Sequence, residues 1–210
     1  MTEEEQIAQI KDWWQRNGKP LLTGGALALA LVFGWNAWQS YQTKQAQSAS
    51  LIYQQLLETS LTGSTPDAGK VAELAGKLKS EYAGTHYAQY ASLFVAKVAV
   101  EAGKLDDAAA ELKALSDKPV DATVAELARQ RLARVLAAQG KAEDALKLLE
   151  GEAAKVWQAS REELKGDLLV QLGRTDDAHA AYLKAKAALA DDAAVGSLQM
   201  KLDDLAKGDA

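Results

Sequence analysis

Gly103-Lys104-Leu105-Asp106-Asp107-Ala108, Gly140-Lys141-Ala142-Glu143-Asp144-Ala145 and Gly173-Arg174-Thr175-Asp176-Asp177-Ala178 are three copies of one six-residue pattern. Their glycines stand 37 and 33 residues apart, and self-similarity at such a period marks a stacked repeat. The hexamer has a readable chemistry. Its glycine ends one helix in a left-handed turn, which costs a residue without Cβ least. The acid at its fourth position complements the positive end of the next helix. Its alanine lets two helices approach closely.

Working outward, each copy follows an amphipathic stretch (87–102, 122–139 and 157–172) and precedes a second helix ending near Leu115, Leu149 and Ala187. This resembles the tetratricopeptide repeat. Ala108, Ala145 and Ala178 match its helix-B alanine, and Leu112, Leu149 and Tyr182 match the large position four residues on. Ala96, Ala133 and Gly166 match the small residue of helix A. The aromatic opening position and the terminal proline are mostly missing, so the repeats are degenerate. They are placed at about 86–118, 122–152 and 157–190, after an atypical helix pair at 47–82. In that pair Leu51, Ile52, Tyr53, Leu56 and Leu57 form one stripe and Val71, Leu74, Leu78 and Tyr82 another, joined by a turn containing Pro66. Leu198, Leu202 and Leu205 mark a capping helix at 192–207.

A different signal precedes the repeats. Residues 20–38, PLLTGGALALALVFGWNAW, carry no charge, and none follows until Lys44. Eighteen residues from Leu21, at about 1.5 Å each, span roughly 27 Å, close to the hydrocarbon thickness of a bilayer. Lys11, Arg16 and Lys19 precede the span and only Lys44 closely follows it, which orients the N-terminus to the cytoplasm. Trp13 and Trp14 at one end, and Trp35, Trp38 and Tyr41 at the other, fit interfacial belts. Ala26, Ala30 and Gly34 form a small-residue ladder suited to helix packing in lipid, as do Gly24 and Ala28. Ahead of the span, Thr2 and Glu5 suggest a capping box, Ile7, Ile10 and Trp14 share one face, and Asn17-Gly18 reads as a stop before Pro20. After it, 39–50 offers no glycine or proline to end the helix. A cleaved signal peptide is the competing reading, but its apolar core usually runs about 7–15 residues. The segments are therefore a cytoplasmic 1–19, an anchor at 20–41 and a repeat domain at 42–210 on the far side of the membrane. The expected fold class is all-α: a single N-terminal transmembrane helix, then a tetratricopeptide-like helical-hairpin solenoid with a C-terminal capping helix.

Composition excludes several functions. A net charge of −5 with 25% charged residues argues against nucleic acid, whose phosphates need clustered Lys and Arg. The absence of cysteine removes disulfides, thiolate metal sites and cysteine nucleophiles. His86 and His179 are unrelated in spacing, and no G-x-S-x-G, P-loop or H-E-x-x-H occurs. The acid pairs Asp106/Asp107, Glu143/Asp144 and Asp176/Asp177 recur in one helix-start slot, which favours capping and solvation over metal. The chain reads as a non-enzyme without cofactor or metal. What a helical stack offers instead is a concave surface lined by its A helices. By resemblance, the groove positions are Tyr90, Lys97 and Glu101, then Gln130 and Arg134, then Glu163 and Asp167. One aromatic with both signs of charge suits a polypeptide partner, though the same residues also fit plain solvated faces.

The whole chain also resembles a narrower family. Trp14…Asn17-Gly18-Lys19, Gly24-Gly25, Gly34-Trp35…Trp38, Ala49-Ser50-Leu51…Tyr53, Arg131-Leu132-Ala133-Arg134-Val135 and Glu163-Leu164-Lys165-Gly166-Asp167 follow the order found in ancillary subunits of the bacterial SecYEG translocon. That resemblance implies a single-pass inner-membrane protein with a periplasmic repeat domain. It implies two partners, the translocon and a membrane-anchored periplasmic chaperone of the prolyl-isomerase class. A cytoplasmic role restraining a stress-response regulator has also been proposed for the family. The expected function is a scaffold linking translocon and chaperone during export. The alternatives are a scaffold for cell-envelope or peptidoglycan assembly, and a regulatory subunit of a separate membrane enzyme.

Overall fold

The computed structural model describes residues 3–61, 67–189 and 196–206. They form two units, Met1–Ser48 and Ala49–Ala210, and among them every regular element is a helix. In order these are α1 (Glu3–Leu61), α2 (Ala68–Glu81), α3 (His86–Glu101), α4 (Leu105–Asp117), α5 (Ala122–Ala138), α6 (Ala142–Leu148), α7 (Lys155–Gln171), α8 (Thr175–Ala187) and α9 (Gly196–Ala206). The expected Thr2–Glu5 capping box and the Pro66 turn lie outside the described residues, as does the expected start of the last helix at 192.

The first unit corrects one expectation. Asn17-Gly18 does not stop the helix: α1 runs through both residues and through Pro20. Gly18 acts as a seat, since a Cβ there would stand 3.1 Å from Cε2 of the Trp14 indole. Asn17 turns its amide inward, Nδ2 donating to the Trp13 carbonyl at 3.0 Å. Thr23 Oγ1 likewise donates to the carbonyls of Lys19 and Pro20, both at 3.0 Å. An internal proline costs about 3 kcal/mol, which long helical flanks absorb because propagation is cheap once a helix exists. The same helix is long and apolar enough to cross a membrane, and its apolar window, including Leu27, Leu31 and Phe33, is exposed throughout.

The second unit begins with the last turns of α1. Ala49 and Leu56 enter one core with Leu74, Ala75 and Leu78 of α2 and Ala88 and Ala91 of α3. Leu51 does not join them; it is 62% exposed, because a 3.6-residue period turns it well away from Leu56. Asp67 caps α2, its side chain accepting from the Lys70 amide at 3.0 Å.

The three hexamers adopt one geometry. Gly103, Gly140 and Gly173 have φ of 73°, 79° and 73°. Each glycine amide donates to the carbonyl three residues back, at 3.0, 2.9 and 2.9 Å. The next residue's amide reaches five back, Lys104 to Ala99, Lys141 to Leu136 and Arg174 to Leu169, at 2.8, 2.8 and 2.9 Å. This is the Schellman arrangement, which satisfies the carbonyls a helix end leaves over. The amides of Ala108, Ala145 and Ala178 then make early bonds of the following helix, to Lys104, Lys141 and Arg174, and all three alanines are fully buried. A Cβ built on Gly140 meets nothing within 4 Å, so only its backbone conformation resists substitution. Gly140→Ala is expected to cost about 1–2 kcal/mol, read as a lower midpoint in thermal unfolding of the full-length protein in detergent.

From α3 onward each helix packs on the next, and the A helices also touch, α3 on α5 and α5 on α7. Leu93, Leu112, Val124 and Leu132 fill one core layer, Ala133, Leu149 and Leu164 the next, and Leu169, Tyr182, Leu198 and Leu202 the last. The link between α4 and α5 is held by one side chain: Gln89 Nε2 donates to the Lys118 carbonyl at 2.8 Å, and its Oε1 accepts from the Val120 amide at 2.7 Å. Helix α9 closes the stack through Leu198 and Leu202, which are buried, and Leu205, which is half-buried.

Candidate functional site

Helical period decides what α3 and α5 present. Residues facing α4 are small or branched and buried, while 90, 94, 97 and 101 recur on the other side of α3 and 127, 131, 134 and 138 on that of α5. Between these rows lie two adjoining hollows. The first, about 420 Å³, has a floor of Leu93, Ala96, Val100, Leu112 and Val135 and a rim of Lys97, Glu101, Arg131 and Arg134. The second, about 310 Å³, is walled by Tyr53, Tyr90, Phe94 and Leu127 and shares Leu93, Lys97 and Arg131 with the first. Tyr53 organises that end, its ring 5.4 Å from Tyr87, 6.1 Å from Tyr90 and 6.0 Å from Phe94. Its hydroxyl is pushed above the ordinary tyrosine range by burial and then by the nearby Tyr90 and Tyr87.

Of the seven groove positions expected from sequence, four stand at these hollows. Tyr90 lines the second, Lys97 lines both, and Glu101 and Arg134 line the first. Lys97 and Glu101 pair at 3.1 Å along α3.

Gln130 stands elsewhere. It is 4% exposed, and its Nε2 donates to Glu126 Oε1 at 3.0 Å and to Ser160 Oγ at 3.1 Å. It belongs to a buried polar cluster joining α5 to α7. At its centre the Arg161 guanidinium forks onto the Glu126 carboxylate, Nε to Oε1 at 2.9 Å and Nη2 to Oε2. Arg161 Nη1 also reaches the carbonyls of Gly151 and Glu152, both at 3.3 Å. Burial alone would raise the Glu126 carboxyl, but the hydrogen bonds from Arg161 and Gln130 outweigh it and hold the group below the ordinary range.

Glu163 and Asp167 are claimed by the capping helix. Lys201 Nζ of α9 donates to Glu163 Oε1 at 2.7 Å and to Asp167 Oδ1 at 2.6 Å, and lies 5.5 Å from the centre of the Tyr182 ring. The Tyr182 hydroxyl donates to the same Asp167 oxygen at 2.8 Å. Partial burial opposes the Lys201 charge, yet its two acceptors prevail and raise it above the usual lysine value. Both carboxylates are thus paired within the chain while staying partly exposed, at 34% and 41%, and the two hollows belong to α3 and α5.

The repeated acid pairs lie in the first turns of α4, α6 and α8. Their N-cap positions are Lys104, Lys141 and Arg174, with no side-chain cap bond. The acids therefore act through charge at the helix start and not as capping acceptors. His86 is exposed and faces Asp121 at 3.4 Å.

Sequence reading missed Glu126 with Arg161, Lys201, and the wall formed by Tyr53, Phe94 and Arg131. Glu126 and Gln130 are four apart on one helix, which is a legible signal, but their partner is 35 residues from Glu126. Tyr53 read as core, and Arg131 shares a helix face with Arg134 that only the neighbouring A helix defines.

Helix pairs stacked in sequence, with Schellman turns at fixed intervals and A helices along one surface, define a tetratricopeptide-like solenoid. The family model described as a tetratricopeptide repeat-like domain matches residues 11–207. Among individual relatives, the Ancillary SecYEG translocon subunit of Escherichia coli (strain K12) is 32% identical over 203 residues, covering 97% of this chain and 96% of the relative. The proteins of that name from Aggregatibacter actinomycetemcomitans (30%, 88% of each chain) and Neisseria gonorrhoeae (29%, 98% of each chain) are also similar. The chain belongs to the ancillary SecYEG translocon subunit family. No solved structure gives a significant match.

Proposed function

We propose that this protein is a membrane-tethered scaffold of the Sec translocon, with α1 crossing the bacterial inner membrane and the repeat unit in the periplasm. The observation that carries this reading is the near full-length match to relatives named for the translocon, which runs through both the apolar helix and the repeats. Orientation rests on Lys11, Arg16 and Lys19 ahead of the span against Lys44 after it. Ala26, Ala30 and Gly34 are exposed along α1, and a Cβ on Gly34 would meet nothing within 4 Å. We assign that ladder to a membrane partner and the α3–α5 surface to a polypeptide, by family resemblance a membrane-anchored chaperone of the prolyl-isomerase class. Tethering raises effective local concentration without tight intrinsic affinity, so the scaffold acts by position.

Affinity capture from gently solubilised membranes tests this, with translocon subunits and the chaperone expected together. Capture of wall-synthesis enzymes, or of one stoichiometric enzyme, would overturn it. Photo-crosslinkers at Ala30 or Gly34 are expected to trap a membrane protein; capture of lipid alone removes the ladder from the scheme. Charge reversal at Lys97 and Arg134 is expected to weaken chaperone capture and leave translocon capture through α1 intact.

A further inference from the structure

The rim of the two α3–α5 hollows is electrostatically incomplete. Arg131 and Arg134 are both exposed, and among the described residues neither has a hydrogen-bond or ion-pair partner. Elsewhere in the unit Arg129 and Arg161 hold Glu126, and Arg174 holds Asp177. Partial burial and the neighbouring Arg134 both work against the Arg131 charge, so the two guanidiniums gain from any anion placed between them. The only acid on the rim, Glu101, is already paired with Lys97. In a chain of net charge −5, this is a local cationic site over an apolar floor, where Val100 remains 42% exposed.

We propose that this surface takes an internal polypeptide segment in which an acidic side chain is flanked by apolar ones. The carboxylate rests on Arg131 and Arg134, and the apolar groups fill the hollows on either side. The proposal rests on the scaffold reading above and names the chemistry of its partner. Arg131 lines both hollows, so a ligand anchored there has apolar space to both sides. An internal segment fills both, whereas a chain terminus ends at one. A phosphate backbone would leave the floor uncovered. Carboxylate on guanidinium is a charge-assisted contact with a bidentate option, and at a rim it governs selectivity and association rate more than total affinity.

The test uses full-length protein in phosphatidylcholine nanodiscs and a fluorescent peptide of repeated Leu-Glu-Phe triads, blocked at both ends. It is expected to bind about tenfold tighter than the Leu-Gln-Phe peptide, the scale of one good charge-assisted contact, with the preference shrinking as salt rises. The Arg131→Glu/Arg134→Glu double variant is expected to lose that preference and to favour a Leu-Lys-Phe peptide instead. Among the described residues neither guanidinium has a hydrogen-bond or ion-pair partner to lose, so the variant keeps the wild-type melting profile. Equal binding of the Glu and Gln peptides overturns the proposal. So does binding that requires a free C-terminal carboxylate, and so does equal displacement by phosphatidylglycerol vesicles, which would mark a lipid site. If translocon capture persists while the peptide preference is absent, this inference fails alone; if capture fails while the preference is present, the scaffold reading fails.

Discussion

Replacing Arg161 with alanine is expected to lower the stability of the repeat unit by about 3–5 kcal/mol, the usual cost of stranding one partner of a buried ion pair. Glu126 is 5% exposed and Arg161 2%, so the carboxylate left behind has little water to turn to. Arg129 and Gln130 still reach it, but the carbonyls of Gly151 and Glu152 lose their donor. The pair joins α5 to α7, so the loss falls on contact between two successive repeats. In a solenoid such nearest-neighbour contacts carry cooperativity. Thermal unfolding of the full-length protein in detergent is expected to show a drop on the order of 10 °C, and a transition broadened toward two steps.

The same carboxylate gives stability a pH dependence of known sign. Its folded pKa lies below the ordinary 4.5, so the unfolded chain binds the proton more readily. The contribution is therefore complete above about pH 4.5 and fades as pH falls through the folded value. Glu126→Gln, which removes the titration, is expected to flatten that acid limb. An unchanged limb would mean that other carboxylates set it.

The second large effect concerns a glycine whose backbone is ordinary. Gly166 lies inside α7, so alanine there gains about 1 kcal/mol in helix propensity. Packing reverses the sign. A Cβ at 166 would stand 2.2 Å from Cε1 and 2.4 Å from Cδ1 of Tyr182. That ring is 3% exposed and tethered through its hydroxyl to Asp167, so it cannot swing clear cheaply. Overpacking of this kind costs about 1–3 kcal/mol, occasionally more, and Gly166→Ala is expected to be destabilising on balance. The other repeats carry Ala96 with Leu112 and Ala133 with Leu149 at the equivalent positions. In a Tyr182→Leu background the same Gly166→Ala change is expected to turn neutral or stabilising. A double-mutant cycle measures this reversal, and a destabilising alanine in both backgrounds would show that the ring is not the obstacle.

Much of the architecture follows from local rules. Each hexamer glycine ends a helix with positive φ wherever it recurs, because left-handed geometry is set by steric limits within a residue and its neighbours. The apolar run at 20–38 and the helix–turn–helix spacing are likewise legible, since period and length need no knowledge of the partner. Even the pairing of Gly166 with Tyr182 is implied by the repeat alignment, which sets a small residue against an unusually large one.

Other features depend on which surfaces meet. Asn17, Gly18 and Pro20 spell a helix stop, yet α1 passes through them, because flanking turns and the Trp14 ring outweigh a local preference. Gln130, Glu163 and Asp167 have the helical phase of groove residues. Phase fixes only the side of a helix, and not whether another chain segment already covers it. Ser160 meets Gln130 from 30 residues further along the chain, and Lys201 pairs with Asp167 from 34 further along. The sequence by itself determined a helical solenoid behind one helix of membrane-spanning length, because those rest on contacts a few residues apart. Only the tertiary structure decided which face stayed open, because burial and ion pairing are sums over segments that sequence distance does not order.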